Sequence, residues 1–355
     1  MARSNVGPTI TEVAKAAGVS RATVSRVLNG RTTVDPAIGA RVRAQAERLQ
    51  YRPNLTARYL STGRTMTVSL VIPDLGNPMF QSVLRSLTRA AESAGYGVLV
   101  AEAQSAEKEA RIAQDARRQC DAVVLVAPRT VDAELDALIT QVAPVVVLNR
   151  RLKDPHVASV GIDYGAGVTQ LVDHLTALGH RDLLYVAGPE RSAAHQERLA
   201  TLNSIAASRP ELSVRTIPGG ASMAAGHDVA EEVLASGATG VLAFNDLVAF
   251  GLLARLHGLS VDVPGDLSVT GFDGIELSRF AVPALTTVGQ EELDTGAVAW
   301  SLLEPQLAAT GKAGPVEHAL LTPRLIVGDS TGPAPAARAS AHAPAADAAP
   351  DPAAR

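Results

Sequence analysis

From residue 9 onward the apolar positions repeat at helical spacing. Ile10, Val13, Ala14 and Ala17 fall at i, i+3, i+4 and i+7, one face of a short helix. Thr9 with Glu12 three positions on predicts a capping box at its start, and Gly18 predicts its end. Ser20 is a second N-cap candidate, opening a helix whose apolar side is Val24, Val27 and Leu28. Two short helices across a tight glycine turn have the spacing of a helix-turn-helix, whose second helix enters the DNA major groove. Removing the buried positions leaves Arg21, Ala22, Ser25, Arg26 and Asn29 facing outward. Arginine pairs bidentately with guanine, whereas alanine offers only a methyl contact. A third helix is predicted from Asp35 as N-cap and Pro36 at its first position, with Ile38, Val42, Ala46 and Leu49 inside. Pro53 and Asn54 then open a helix of about eight residues before Gly63, too short to be stable without a partner.

The pattern changes at Met66. Short apolar runs (VSLVIP, GVLVAEA, AVVLVAP, PVVVLNR, VASVGID, DLLYVAG, GVLAFND, LSVTGFD and LTTVGQ) alternate with amphipathic stretches and predict buried parallel strands in a doubly wound sheet. Ligands in such folds bind beyond the carboxyl ends of the strands. That rule selects Asp74, Asn77, Asn149, Arg150, Asn245, Asp246 and Asp273. The last stretch, PAPAARASAHAPAADAAPDPAAR, has little to bury and predicts a disordered tail.

Charge sharpens this division. The 355 residues carry a net charge of -4, but the first 64 hold ten arginines and one lysine against three acids, a net +8, which leaves -12 for the rest. A basic head on an acidic body points to a nucleic-acid partner at the N-terminus, since Lys and Arg neutralise phosphates and release counterions. With 46% hydrophobic and 19% charged residues the chain buries a substantial core. No apolar stretch of signal-peptide or membrane-spanning length is present, and the single cysteine, Cys120, offers neither an internal disulfide nor a multi-cysteine zinc site. A cytoplasmic location is expected, without membrane, metal or cofactor.

The head, TITEVAKAAGVSRATVSRVLNG followed by VDPAI, YRPN and ARYL, resembles the DNA-binding head of the lactose-repressor (LacI/GalR) family. The body resembles that family's effector domain through IPDLGNPMF, LNRR, LTALGHR, AGP, AFNDLVAFG, VPGDLSVTGFD and PALTTVGQ, in order from Ile72 to Gln290. The resemblance implies an all-α helix-turn-helix head plus an α/β effector domain of two doubly wound parallel-sheet subdomains, like the periplasmic binding proteins. Its expected boundaries are 1–52 for the head, 53–65 for a hinge helix and linker, 66–328 for the effector and dimerisation domain, and 329–355 for the tail. Within the effector domain the subdomains are expected at 66–162 with 291–328, and at 163–290. DNA contacts are implied at Thr9, Ser20, Arg21, Ala22, Thr23, Ser25, Arg26, Asn29, Tyr51, Asn54, Ala57, Arg58 and Leu60. Leu60 is the expected minor-groove wedge, an apolar side chain that unstacks a base step and kinks the duplex. Effector contacts are implied at Asp74, Phe80, Asn149, Arg150, Arg198, Asn245, Asp246 and Asp273. Carboxylates, amides and a guanidinium suit a polyhydroxylated ligand, so a sugar is the expected effector of a homodimeric repressor on double-stranded operator DNA.

The chain departs from the family at several points. Ile38-Gly39 stands where Thr-Arg is usual, Gln50 where Gly is usual, and Gly274 where a second acid is common. The aromatic expected after AGP is missing in SAAHQ, and Thr201-Leu202 replaces a Gly-aromatic pair. Stacking against a ring then rests on Phe80, with Phe244 or Phe272 as further candidates. His174, His180, Cys120 and Trp300 are expected to be structural. Two alternatives remain open. A solute-binding protein shares the body but requires an export signal and has no use for a basic head. An α/β enzyme needs a G-x-S-x-G elbow, a metal-spaced histidine pair or a Walker loop, and the sequence has none of these.

Overall fold

The computed structural model describes residues 8–28, 34–51, 63–152, 156–289, 294–308 and 318–335. The expected contacts Asn29, Asn54, Ala57, Arg58 and Leu60, the predicted hinge helix and the chain from residue 336 onward lie outside the described residues. Two compact units form, Met1–Met66 and Thr67–Arg355.

The first unit holds α1 (Ile10–Ala17), α2 (Arg21–Leu28) and α3 (Pro36–Arg48). The capping box predicted for α1 is made: the Thr9 amide donates to the Glu12 carboxylate at 2.6 Å, and the Glu12 amide donates back to Thr9 Oγ1 at 3.4 Å. Gly18 ends α1 in the left-handed conformation, φ 66°. The Asp35 carboxylate accepts from the Ala37 and Ile38 amides at 2.8 and 3.3 Å and so starts α3. Val13, Val24 and Val42 are fully buried where the three helices meet, with Ile10, Leu28, Ile38 and Leu49 packed around them.

The second unit has two lobes. In the first, β1 (Thr67–Ile72), α4 (Pro78–Ser93), β2 (Gly97–Glu102), α5 (Ala106–Gln119), β3 (Ala122–Val126), α6 (Asp132–Val142), β4 (Val145–Leu148) and β5 (Ser159–Ile162) follow one another. The chain crosses into the second lobe and forms α7 (Tyr164–Ala177), β6 (Asp182–Ala187), α8 (Ala193–Ser208), β7 (Ser213–Pro218), α9 (Met223–Asp228) and α10 (Ala230–Ala235). It continues through β8 (Gly240–Ala243), α11 (Asp246–Gly258), β9 (Ser268–Thr270) and β10 (Thr287–Gly289). α12 (Thr295–Ala308) and β11 (His318–Leu321) return to the first lobe, and β12 (Arg324–Ile326) crosses back.

Among the described residues, the first lobe's sheet has the order β11-β5-β4-β3-β1-β2 and the second lobe's β7-β6-β8-β9, every pair parallel. This is the doubly wound arrangement that the Val- and Leu-rich runs predict, since strands covered by helices on both faces lose the polar alternation of a half-exposed sheet. LTTVGQ runs parallel to the β9 segment, with bridges Thr270–Thr286 and Asp273–Gly289, and on its other side β10 pairs antiparallel with β12 at the crossing between lobes. Two expectations need correction. The return to the second lobe therefore falls between β11 and β12, ahead of the expected boundary at 328. Residues 329–335 are no loose tail: the amide of Val269 donates to Ser330 O at 2.9 Å and that of Ala334 to Leu178 O at 2.9 Å, with Ser330 fully buried.

The residues expected to be structural hold such places. His180 is fully buried, within 2.9 Å of Thr239 Oγ1 and 3.0 Å of Gly332 O, and His174 lies 2.8 Å from Thr331 Oγ1. Both histidines thereby fasten the segment after β12. Trp300 is buried against Tyr96, with ring centroids 5.4 Å apart, and Cys120 is buried ahead of β3.

Candidate functional site

On the first unit, α2 buries Val24 and Val27 and leaves Arg21, Ala22 and Arg26 exposed. Ser20 starts this helix, its Oγ accepting the Thr23 amide at 3.1 Å and lying 3.0 Å from Thr23 Oγ1. Arg26 Nε donates to Ala22 O at 3.3 Å, which lays the guanidinium along the outer face. Ser25 is half-buried beside it. The face is therefore small and cationic, the shape needed for a helix to approach base edges closely. Two other expected DNA contacts have structural duties in the unit: Thr9 is held in the capping box, and Tyr51 packs against the three-helix core. The departure at Gln50 also has a physical meaning, because that residue adopts φ 51°, a conformation that favours glycine.

In the second unit, the carboxyl ends of β1, β3, β4, β6, β8 and β9 converge on a small, partly open cavity of about 60 Å³ between the lobes. Asp74 and Phe80, from the segment after β1, and Asn149, after β4, line it from the first lobe. Arg198 on α8, Asn245 at the start of α11 and Asp273 beyond β9 line it from the second. Six of the eight expected effector contacts thus meet at one place.

The electrostatics of this cavity are built around Arg198. Its guanidinium lies 3.7 Å from the Phe272 ring centroid, with Phe244 and Tyr164 at 4.8 and 4.9 Å, and Nη1 donates to Phe244 O. The three rings hold a buried cation by cation–π attraction, and Nε is buried without a hydrogen-bond partner. Gly188 makes room for Phe244, since a Cβ there would stand 2.2 Å from the ring. Asn149 Oδ1 is a second buried atom without a partner. Burial pushes the Asp273 carboxyl up to about 6, against the pull of Arg198 and of Asn77, whose Nδ2 donates to Asp273 Oδ2 at 3.4 Å. Asn77, one of the polar residues at the strand ends, bridges the two lobes through this bond. Asn245 accepts from the Val248 amide at 2.9 Å and donates one of its two N–H groups to Ala221 O at 3.0 Å.

Two expected contacts do not reach the cavity. Arg150 is buried and turns away, donating to Pro128 O at 2.9 Å, Thr130 O at 2.5 Å and Asp132 Oδ1 at 2.6 Å. Asp246 is buried beneath the 273–275 turn, accepting from the Ile275 amide at 2.8 Å and Thr287 Oγ1 at 2.5 Å. Burial and the nearby Asp273 charge raise its pKa well above the usual carboxylate value. Both residues therefore shape the loops that carry other groups to the cavity. In the other direction, Arg129, Tyr164 and Ser192 line it and were not singled out by their motifs. Arg129 follows AVVLVAP, so the strand-end rule was the available signal. Where SAAHQ lacks the expected aromatic, Ser192 and Ala194 form the cavity wall, and His195 stacks on Tyr185 with centroids 5.8 Å apart, outside the lining. Among the described residues no group of three or more His, Cys, Asp or Glu is placed to hold a metal ion. No described helix is long and apolar enough to cross a membrane.

Comparisons with known proteins agree with both units. The model of the bacterial regulatory proteins of the lacI family matches residues 9–54, and that of the periplasmic binding protein-like domain matches residues 172–331. The HTH-type transcriptional regulator GalR of Escherichia coli (strain K12) is 32% identical over 286 residues, 79% of this chain and 83% of the relative. The structure of the lac repressor dimer bound to operator and the anti-inducer ONPF superposes with a TM-score of 0.82 at 24% identity, covering 92% of this chain and all of the other. The complex of the transcriptional regulator CelR with cellobiose superposes with a TM-score of 0.65 at 27% identity, covering 91% and 99%. The relatives are regulators, which removes the enzyme and solute-binding alternatives. A helix-turn-helix head and a two-lobed α/β body, matched over most of the chain by such relatives, establish that this protein belongs to the LacI family of DNA-binding transcriptional regulators.

Proposed function

We propose that the chain acts as a homodimeric repressor in the cytoplasm, binding a pseudo-palindromic operator through α2 and controlled by a sugar held in the cavity between the lobes. Arg21 and Arg26 contact bases or phosphates, Ala22 permits close approach, and Ser20, Thr23 and Ser25 lie beside them on the same helix. The observation that carries the effector reading is that two residues of one cavity, Asn149 and Arg198, each keep a buried polar atom without a partner, Oδ1 and Nε, in a lining that also holds Asp74 and Asp273. An acceptor and a donor left unsatisfied in a buried site call for a ligand offering both, and a hydroxyl does. The cellobiose held by CelR supports the same class.

The dimer reading is supported by exposed apolar residues on both lobes of the second unit. Leu277, Phe280 and Val282 are 54%, 72% and 95% exposed, and Leu99 and Val100 lie open on the edge strand β2. Large apolar side chains left open on an otherwise well-packed body fit an interface between copies, and the lac repressor is a dimer. The test is selection of binding sites from random duplex DNA by the full chain, followed by gel shift with and without sugars. Selected sites with two-fold symmetry, released or bound more tightly when one sugar is added, support the proposal. Asymmetric sites, or no response to any sugar, contradict it.

A further inference from the structure

The cavity carries four charged side chains, and they are evenly divided. The first lobe contributes Asp74 and Arg129, the second Asp273 and Arg198. Each wall thus presents one carboxylate and one guanidinium, with Phe80 and Phe244 as apolar surface. Arg129 is the member without a place in the family motifs quoted above, yet its loop is braced from two sides by buried charges. The buried carboxylate of Glu109 on α5 accepts from the Arg129 amide at 3.0 Å, the Thr130 amide at 2.8 Å and Thr130 Oγ1. From the other side Arg150 donates to Pro128 O and Thr130 O. An anion takes the donors of the 128–130 loop and a cation its acceptors, so two buried charges fix the backbone of a three-residue segment. The Arg129 guanidinium itself forms no ion pair among the described residues. Nη1 donates to Gln104 O at 3.2 Å, and the group is half-exposed.

We infer that Arg129 is an effector-contacting, specificity-determining residue, and that the four-charge set it completes selects an uncharged saccharide over sugar acids, sugar phosphates and amino sugars. The inference rests on the carbohydrate reading above and narrows it. Two cations and two anions around one small cavity leave no net charge for a ligand to neutralise. A neutral polyol receives hydrogen bonds from both guanidiniums and gives them to both carboxylates, and these charge-assisted bonds are the stronger kind. A carboxylate, phosphate or ammonium on the ligand would enter a buried site without a compensating opposite charge, and its desolvation would go unmatched. Fixing the Arg129 backbone in advance lowers the ordering cost of binding.

The test uses the full chain with paired probes. Glucose, galactose, ribose and cellobiose are titrated beside glucuronate, galacturonate, glucose 6-phosphate and glucosamine, by thermal shift and then calorimetry. The expected result is that at least one neutral sugar raises the melting temperature and that its charged counterparts bind at least about tenfold more weakly. Arg129→Gln weakens that sugar by about 10- to 100-fold, the range for a hydrogen bond to a charged group, with the melting temperature of the sugar-free protein unchanged. Arg129→Lys keeps the charge without the fork and falls between the two. A charged probe that binds as tightly as its neutral counterpart, or an Arg129→Gln variant with wild-type affinity, overturns the inference and leaves the carbohydrate reading standing. A wild-type protein that responds to none of the eight probes overturns both.

Discussion

Asp273 combines three costs in one residue: it is a partly buried carboxylate, it lies beside another, Asp246, and its backbone has φ 115°, a region that side chains other than glycine rarely adopt. A carboxyl whose pKa rises from 3.8 to about 6 on folding makes the folded state bind protons more tightly than the unfolded one. Stability therefore falls as pH rises from about 4 through about 6, by about 3 kcal/mol at most for this group. Asp273→Asn removes that cost, so the sugar-free variant should melt higher than wild type at pH 7.5, with the gap narrowing as pH falls toward 4. Thermal denaturation across that range checks this; a variant less stable than wild type at pH 7.5 contradicts it. Such a cost is expected where a binding site needs a charge. The same scale applies to the head. Arg21→Ala or Arg26→Ala should lower operator affinity by about 1–3 kcal/mol without altering the mass of the particle in solution, as read by gel shift and by light scattering. Unchanged affinity in both variants would mean that the exposed face of α2 is not the reading face.

At the scale of elements, how legible each part was in the sequence depended on what covers it. The nine apolar runs all became strands, and eight of them are buried along most of their length. β2 is apolar and largely exposed, yet hydrophobicity marked it equally well. β7, β11 and β12 escaped notice for the opposite reason. Two are edge strands and one is half of a two-stranded ribbon, their outer faces meet solvent, and no run of apolar residues forms. The site was legible where a residue type and a strand end coincide, as at Asp74, Asn149 and Asp273, whereas Arg198 lies within α8 and was legible only through the family resemblance. Arg150 and Asp246 failed because sequence position gives the loop and not the direction of the side chain, and a neighbouring charge or backbone group decided that direction. The turn after Asp273 shows how closely an element can constrain the site. Gly274 has φ 63°, and a Cβ there would stand 2.4 Å from Gly289 Cα. Gly274→Ala should cost about 2–5 kcal/mol, from the left-handed backbone and the overpacking together, and displace Asp273. Urea denaturation reads the first effect and sugar titration the second; a loss below 1 kcal/mol, on the order of an exposed helix substitution, would show that the two backbones have room to part.

For the whole molecule, the two units differ in charge, fold and chemistry. The +8 head predicts an operator affinity that falls steeply with salt, whereas a neutral ligand in a charge-balanced cavity predicts sugar binding that hardly changes with it. Regulation requires more than the presence of both sites. Occupation of the cavity has to change the free energy of DNA binding, and reciprocity then requires operator DNA to change sugar affinity by the same factor. The measurement that bears most directly on this is titration of the effective sugar into the free protein and into its operator complex, by calorimetry at one salt concentration. The account predicts two dissociation constants that differ by a factor of about 5 to 150, the range of ordinary allosteric coupling. Equal constants would contradict it, leaving a DNA-binding head and a sugar-binding body with no energetic link between them.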